Sequence, residues 1–174
     1  MFKIRKTFIT SDPHFGHSNI IEYAQRPFKD KYEMDKTIID NWNKFLKKEY
    51  LVYVLGDISF YGKDKTNEII KNLNGYKVLI MGNHDRRKSI TYWKNVGFDE
   101  VSKHPILVED KYLLSHEPRY ELAGKGLYYN IHGHIHHLDI NSDDKDIYFN
   151  VCVEKNNYKP WDFEVIKKRL EVRS

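Results

Sequence analysis

Cysteine is almost absent from this 174-residue chain: Cys152 stands alone, so no internal disulfide can hold the fold. A chain of this length needs none, because it can bury a two-layer core that domains below about 80 residues cannot. Long apolar runs are missing too. Met1 to Thr10 is broken by Lys3, Arg5 and Lys6, and Tyr50 to Leu55 is far too short to cross a bilayer. No membrane association and no secretion are therefore expected; the cytoplasm is the expected location, and the lone cysteine is compatible with a reducing compartment. Blocks of like charge are also absent: 29 Lys and Arg are interspersed with 25 Asp and Glu, for a formal net charge of +4. That balance permits an anionic substrate without demanding one. Beyond the short cluster Arg86-Arg87-Lys88 there is no basic stripe interleaved with aromatics, which argues against a nucleic-acid-binding protein with incidental metal sites. No linker, repeat or low-complexity stretch divides the chain, so a single domain over residues 1–174 is expected.

What is present is an ordinary globular composition, 40% hydrophobic and 14% aromatic, arranged as short apolar runs that stop at turn residues. Ile4 to Thr10 reads as a first strand ending at Ser11-Asp12-Pro13, where proline removes a donor and pushes Asp12 toward an extended conformation. A short helix is predicted over Ser18 to Ala24. Tyr32 to Lys48 carries Met34, Ile38, Ile39, Trp42, Phe45 and Leu46 at helical spacing and reads as an amphipathic helix. Leu51 to Leu55 and Val78 to Met81 read as buried strands, with a helix over Asp64 to Leu73 between them, which gives a β-α-β unit. A helix at Ser89 to Asn95 follows, then a hairpin of Ile106 to Val108 and Tyr112 to Leu114. Strands at Leu127 to Ile131 and Ile147 to Val153 and a helix from Asp162 to Leu170 complete the pattern. The second half is expected to be mostly antiparallel, with Cys152 a buried strand residue. The fold class implied is α/β, two packed mixed β-sheets flanked by helices.

Five short motifs sit at predicted strand ends: Asp12-Pro13-His14, Gly56-Asp57, Gly82-Asn83-His84-Asp85, Ser115-His116 and Gly133-His134-Ile135-His136. Each brings a metal-competent side chain. In extended backbone, residues i and i+2 point the same way, so Asp12 with His14, and His134 with His136, can each present two ligands to one place. Gly56, Gly82 and Gly133 permit tight or left-handed turns beside them. The set Asp12, His14, Asp57, Asn83, His116, His134 and His136 mixes oxygen and nitrogen donors without cysteine. That suits two divalent transition-metal ions, Mn²⁺ foremost and Fe or Zn²⁺ next, sharing a bridging carboxylate.

The ordered blocks closely resemble the calcineurin-like metallophosphoesterase family, over Asp12 to His136. The resemblance implies an α/β/β/α sandwich and a dinuclear phosphoester hydrolase in which a metal-held hydroxide attacks phosphorus in line. It assigns Asp12, His14 and His136 to the first ion, Asn83, His116 and His134 to the second, and Asp57 to both. It makes His84 a non-ligand histidine over the scissile phosphate, oriented by a hydrogen bond that its ring donates to Asp85. The partner implied is a phosphoester, possibly nucleotide-derived, with no obligate protein partner evident. The extension Gly-Asp-x-x-Asp-Arg of the family's protein phosphatases is replaced by Ile58, Ser59 and Phe60 after Asp57, which points to phosphodiesters. A phosphomonoesterase and an inactive binding module of the same fold are the alternatives.

Outside the motifs, His17 and Arg26 are candidates for substrate or supporting contacts, Arg26 as a phosphate partner. His132 and His137 flank the last motif, and His104 reads as an ordinary surface residue. The helical segment between His14 and Asp57 is expected to be an added element or a cap near the site, with Asn41-Trp42-Asn43 serving core and capping.

Overall fold

The computed structural model describes residues 6–122, 128–141 and 145–172. Residues 4 and 5 of the first predicted strand and Leu127 of a later one lie outside them. Strand β1 (Thr7–Thr10) leads through helices α1 (Asn19–Tyr23) and α2 (Lys31–Phe45) to β2 (Leu51–Val54), and α3 (Lys63–Asn72) leads to β3 (Tyr76–Ile80). Helix α4 (Ile90–Asn95) precedes β4 (Glu100–Ser102), β5 (Ile106–Val108) and β6 (Tyr112–Ser115). Then come β7 (Tyr129–His132), β8 (Tyr148–Asn150), β9 (Trp161–Asp162) and α5 (Phe163–Glu171).

The strands form two sheets, ordered β4-β3-β2-β1-β9 and β5-β6-β7-β8. In the first, β1 to β4 are parallel and β9 is antiparallel to β1. Period-two alternation sends successive side chains of these strands to opposite faces. Phe8, Val52, Val54 and Leu79 meet Met34, Ile38 and Trp42 of α2, Ile69 and Ile70 of α3 and Trp93 of α4 in one apolar cluster. Ile9, Leu55 and Ile80 point the other way, into a cluster with Tyr112, Leu114, Ile131 and Phe149 of the second sheet and Phe163, Ile166 and Leu170 of α5. The first sheet is thus covered by helices on one face and by the second sheet on the other.

Two expectations change here. The second sheet is not mostly antiparallel: only the β5–β6 hairpin is, turning at Glu109 and Asp110 with left-handed φ of 52° and 53°, while β6, β7 and β8 run parallel. The connections from Ser115 to Tyr129 and from His132 to Tyr148, which carry short 3-10 turns at Tyr120–Leu122 and Lys145–Ile147, are long enough for parallel crossovers. The segment between His14 and Asp57 is not a cap over the site but the connection between two parallel strands, and α2 packs its apolar face into the core. Trp42 donates from Nε1 to the Asn74 carbonyl at 2.8 Å, and Asn43 pairs with Asn72 and Asn74, so this face is core and capping as expected.

Candidate metal centre

Because β1 to β3 and β6 to β8 are each parallel, their carboxyl ends open at one edge of their sheets, and the loops that follow carry every motif. Open α/β sheets gather ligand sites at this edge. The loops after β1 and β2 are zipped together: Asp12 N–H donates to the Gly56 carbonyl at 3.0 Å, His14 N–H to Asp57 at 3.1 Å and Phe15 N–H to Ile58 at 2.9 Å.

Extended alternation does not produce the convergence. Asp12, His14, Asp57, His134 and His136 all have left-handed φ, between 50° and 71°. Non-glycine residues adopt that region at a cost and hold it where the surroundings over-determine it. Of the three motif glycines, Gly56 takes a positive φ of +93°, whereas a Cβ on Gly82 would lie 2.2 Å from Asp57 Oδ1 and one on Gly133 would lie 2.0 Å from Ser11 Oγ. Those two glycines are there for close approach.

Three sets of donor atoms converge: Asp12 with His14 and Asp57; Asp57 with His116 and His134; Asp12 with His136 and Cys152. Asp57 Oδ2 lies 3.5 Å from His14 Nε2, 3.6 Å from His116 Nε2 and 3.8 Å from His84 Nε2. Asp12 Oδ2 accepts from His134 N–H at 2.8 Å and from the Cys152 thiol at 3.2 Å. Its Oδ1 and the Nε2 of His14 are buried with no hydrogen-bond partner, 3.6 Å apart. His116 Nδ1 donates to the Leu55 carbonyl at 2.6 Å, which leaves Nε2 unprotonated in the neutral ring, 3.2 Å from His134 Nδ1 and 2.9 Å from Asn83 Oδ1. Convergent lone pairs and orphaned buried donor atoms fit divalent cations, and oxygen and nitrogen predominate among them.

The electrostatics agree. Burial pushes the Asp57 carboxyl up to about 7, with Asp12 and Asp85 adding to the effect against His116. Burial also opposes ionisation of Asp12, but His116, His14 and His136 outweigh it and hold that carboxyl well below its ordinary range. Burial lowers His14 to about 4, so its ring stays neutral and able to coordinate. His84 and His17 are lowered by burial as well.

The remaining candidates divide. His84 sits half-buried at the rim and its N–H donates to Asp57 Oδ1 at 3.0 Å. Asp85 does not orient the His84 ring. Its carboxylate accepts from the backbone N–H groups of Asp57 at 2.7 Å, Gly82 at 2.9 Å and Ile58 at 3.0 Å, so it fixes the loop that carries Asp57. His17 lies at the mouth, its Nδ1 3.2 Å from that of His14. Arg26 offers no phosphate clamp, because it is 4% exposed and fully engaged. Its guanidinium donates to the carbonyls of Asp12 at 2.8 Å and Pro13 at 3.0 Å, and pairs with Glu154 at 2.7 Å. Arg86, Arg87 and Lys88 are exposed, and His104 lies in an exposed turn. His132 is buried, its Nδ1 2.9 Å from the Gly133 carbonyl, and burial lowers it to about 4. His137 is half-buried, with Nδ1 unpartnered.

Two residues escaped sequence reasoning. Glu154 Oε1 lies 3.1 Å from His136 Nδ1, and Cys152 touches Asp12 from just beyond the end of β8. Cys152 is buried as expected, but it is held by an isolated bridge to Ser11 rather than lying within the strand. The available signal was position: the stretch Asn150 to Glu154 follows a sixth strand end, yet carries no recognisable motif. A cavity of about 410 Å³ lined by Tyr148, Lys155, Trp161 and Arg169 touches none of the seven candidate ligands, so its size has no bearing on the chemistry.

Residues 5–166 match the family model described as calcineurin-like phosphoesterase. An uncharacterized protein of Methanocaldococcus jannaschii, MJ1445, is 39% identical over 97% of this chain and 93% of its own length. The gene 66 protein of Mycobacterium phage D29 is 29% identical over 78% of this chain and 80% of its own. The crystal structure of AQ665 from Aquifex aeolicus, a protein of unknown function, superposes with a TM-score of 0.71 at 31% identity, covering 94% of this chain and 98% of that one. With the five motif loops converging at one edge of the sandwich, these similarities lead to one conclusion: the chain belongs to the calcineurin-like phosphoesterase family.

Proposed function

We propose that the chain is a dinuclear metal-dependent phosphoester hydrolase with a preference for phosphodiesters and Mn²⁺ as the favoured metal. The observation that carries this reading is Asp57, which joins the Asp12 and His14 set to the His116 and His134 set, while Asp12 links the former to His136. Asp12, His14 and His136 would hold one ion, Asn83, His116 and His134 the other, and Asp57 both. When bound, such ions neutralise phosphoryl charge and lower the pKa of water. His84 lies on the open side of the cluster, and its depressed pKa favours a neutral ring that donates N–H to charge developing on the ester oxygens. Asp85 holds the Asp57 loop in place through three backbone amides.

The diester preference rests on the absence of a fixed guanidinium fork at the cluster among the described residues. A monoester near neutral pH carries close to two negative charges and gains most from a fixed guanidinium. Arg26 is buried against Glu154 and two carbonyls. Neutral groups, His84 and His17 with the adjacent Phe60, border the cluster, and the nearest guanidinium acting on His84, that of Arg87, is exposed and not fixed toward it. They suit a singly charged diester.

Asp57→Asn tests the dinuclear reading: elemental analysis of reconstituted protein is expected to fall from close to two ions per chain to well below one, and a variant that keeps two would remove the bridging role. With Mn²⁺ supplied, kcat/KM for bis(p-nitrophenyl) phosphate is expected to exceed that for p-nitrophenyl phosphate. A monoester preference of about tenfold, or about 1.4 kcal/mol, would replace the diesterase reading with a phosphatase.

A further inference from the structure

Phe60 is a large apolar side chain left 41% exposed beside a cluster of buried charges. A solitary exposed phenylalanine means little. This one is held in a specific way. Its backbone N–H donates to the Phe15 carbonyl at 2.8 Å, next to the Phe15–Ser59 bridge, so the chain beneath it is fixed to the loop that carries Asp12 and His14. Its ring stacks on His17 with centroids 3.9 Å apart and planes 13° apart, and it lies 5.4 Å from the His14 ring at 18°. The His84 ring is 5.0 Å away, tilted by 53°. The ring is therefore covered in part by the His17 imidazole, with His14 and His84 beside it, and the 41% that remains exposed lies at the rim of the cluster.

We infer that Phe60, backed by His17, is a stacking platform for a planar ring on the substrate, and that the substrate class it fits is a nucleoside phosphodiester. The inference rests on the phosphodiesterase reading and narrows it. A nucleobase has a flat π-face that an aromatic side chain recognises whatever the base. The nearly parallel set of Phe60 and His17 offers such a surface without a hydrogen-bonding code, so recognition would follow the presence of the base and not its identity. A flexible aliphatic arm would gain nothing from the planarity.

The test is equilibrium binding of two non-hydrolysable, singly charged methylphosphinates, the analogues of the 5′-methyl phosphodiesters of adenosine and of 1-O-methylribose, to the metal-reconstituted protein. The two ligands share the anion and the closed ribose ring and differ in carrying adenine or a methoxy group at C1′. The wild type is expected to bind the adenosine analogue about tenfold more tightly, which corresponds to about 1.4 kcal/mol. Phe60→Ala and Phe60→Leu are expected to bring the ratio near one, Phe60→Trp to keep it, and all three to retain the wild-type metal content. A wild-type ratio near one overturns the inference, as does a ratio that survives in Phe60→Ala. The two readings fail separately: a wild type that shows no base preference yet hydrolyses bis(p-nitrophenyl) phosphate sinks the platform alone, whereas a Phe60-dependent preference in a protein that turns over no diester sinks the diesterase alone.

Discussion

The bodies of the strands and the loops at their carboxyl ends follow opposite rules. Within β1, β2 and β3 the backbone is regular and the side chains alternate between two apolar clusters. A few residues further on, Asp12, His14 and Asp57 are left-handed, buried and charged or ionisable. Such positions are unfavourable for a fold considered by itself. They persist because the regular part over-determines them: the paired β1 and β2 loops, the Asp85 carboxylate and the buried Arg26–Glu154 pair leave the ligand loops little freedom. The strand bodies supply stability, and the ends use it to keep lone pairs pointed at one another.

That division can be broken by exchanging the consequences of mutation. Leu79→Ala, in the helix-covered cluster, is expected to lower stability by about 2–5 kcal/mol and to leave the metal stoichiometry unchanged at a temperature where the variant stays folded. Denaturant titration and elemental analysis read the two effects. Loss of metal without loss of stability would mean that the strand bodies shape the site more directly than their distance in packing suggests. His84→Ala is expected to show a smaller effect of the opposite kind, retaining both metal and stability while kcat falls by about 10²-fold. Full activity would move the role to His17, the other imidazole at the mouth.

How much of this was legible in the sequence follows the same division. Regular elements were readable because apolar periodicity is local: α2, α3, β2 and β3 lie close to where the spacing of Met34, Ile38 and Trp42, or the run at Leu51, puts them. The seven candidate ligands could be proposed because each sits in a short motif at a strand end, and six of them fall in the convergent donor sets. Strand direction in the second sheet was not, since pairing depends on connections whose length fits either direction and whose residues carry no helical pattern. The real role of Arg26 was also hidden. Its partner Glu154 is 128 positions away, and nothing local distinguishes an arginine that will clamp two carbonyls from one that will meet phosphate. Left-handed backbone at Asp12 and His14 ran against the extended conformation that Pro13 suggested for its neighbour, because hydrogen bonds to the Asp57 loop decide the matter.

Glu154 joins the two regimes, and its removal should have the smallest but most informative effect. It comes from the stretch after β8, takes the Arg26 guanidinium and accepts from His136 Nδ1 on a single oxygen, Oε1. A carboxylate on the far nitrogen of a ligating imidazole fixes the ring and increases its basicity, and loss of such a partner weakens metal binding by about 10- to 100-fold. Burial disfavours the Glu154 charge, but the hydrogen bond from His136 and the Arg26 charge hold it below its ordinary range. His136 is correspondingly raised despite its own burial, mainly by the same hydrogen bond. Glu154→Gln keeps the acceptor and the shape while removing the charge, so it is expected to weaken metal binding in chelator competition by about tenfold. Glu154→Ala, which also frees the ring, is expected to weaken it further. Equal affinity for wild type and Glu154→Gln, with loss only in Glu154→Ala, would assign Glu154 to holding the ring and deny its charge any part in tuning the ligand.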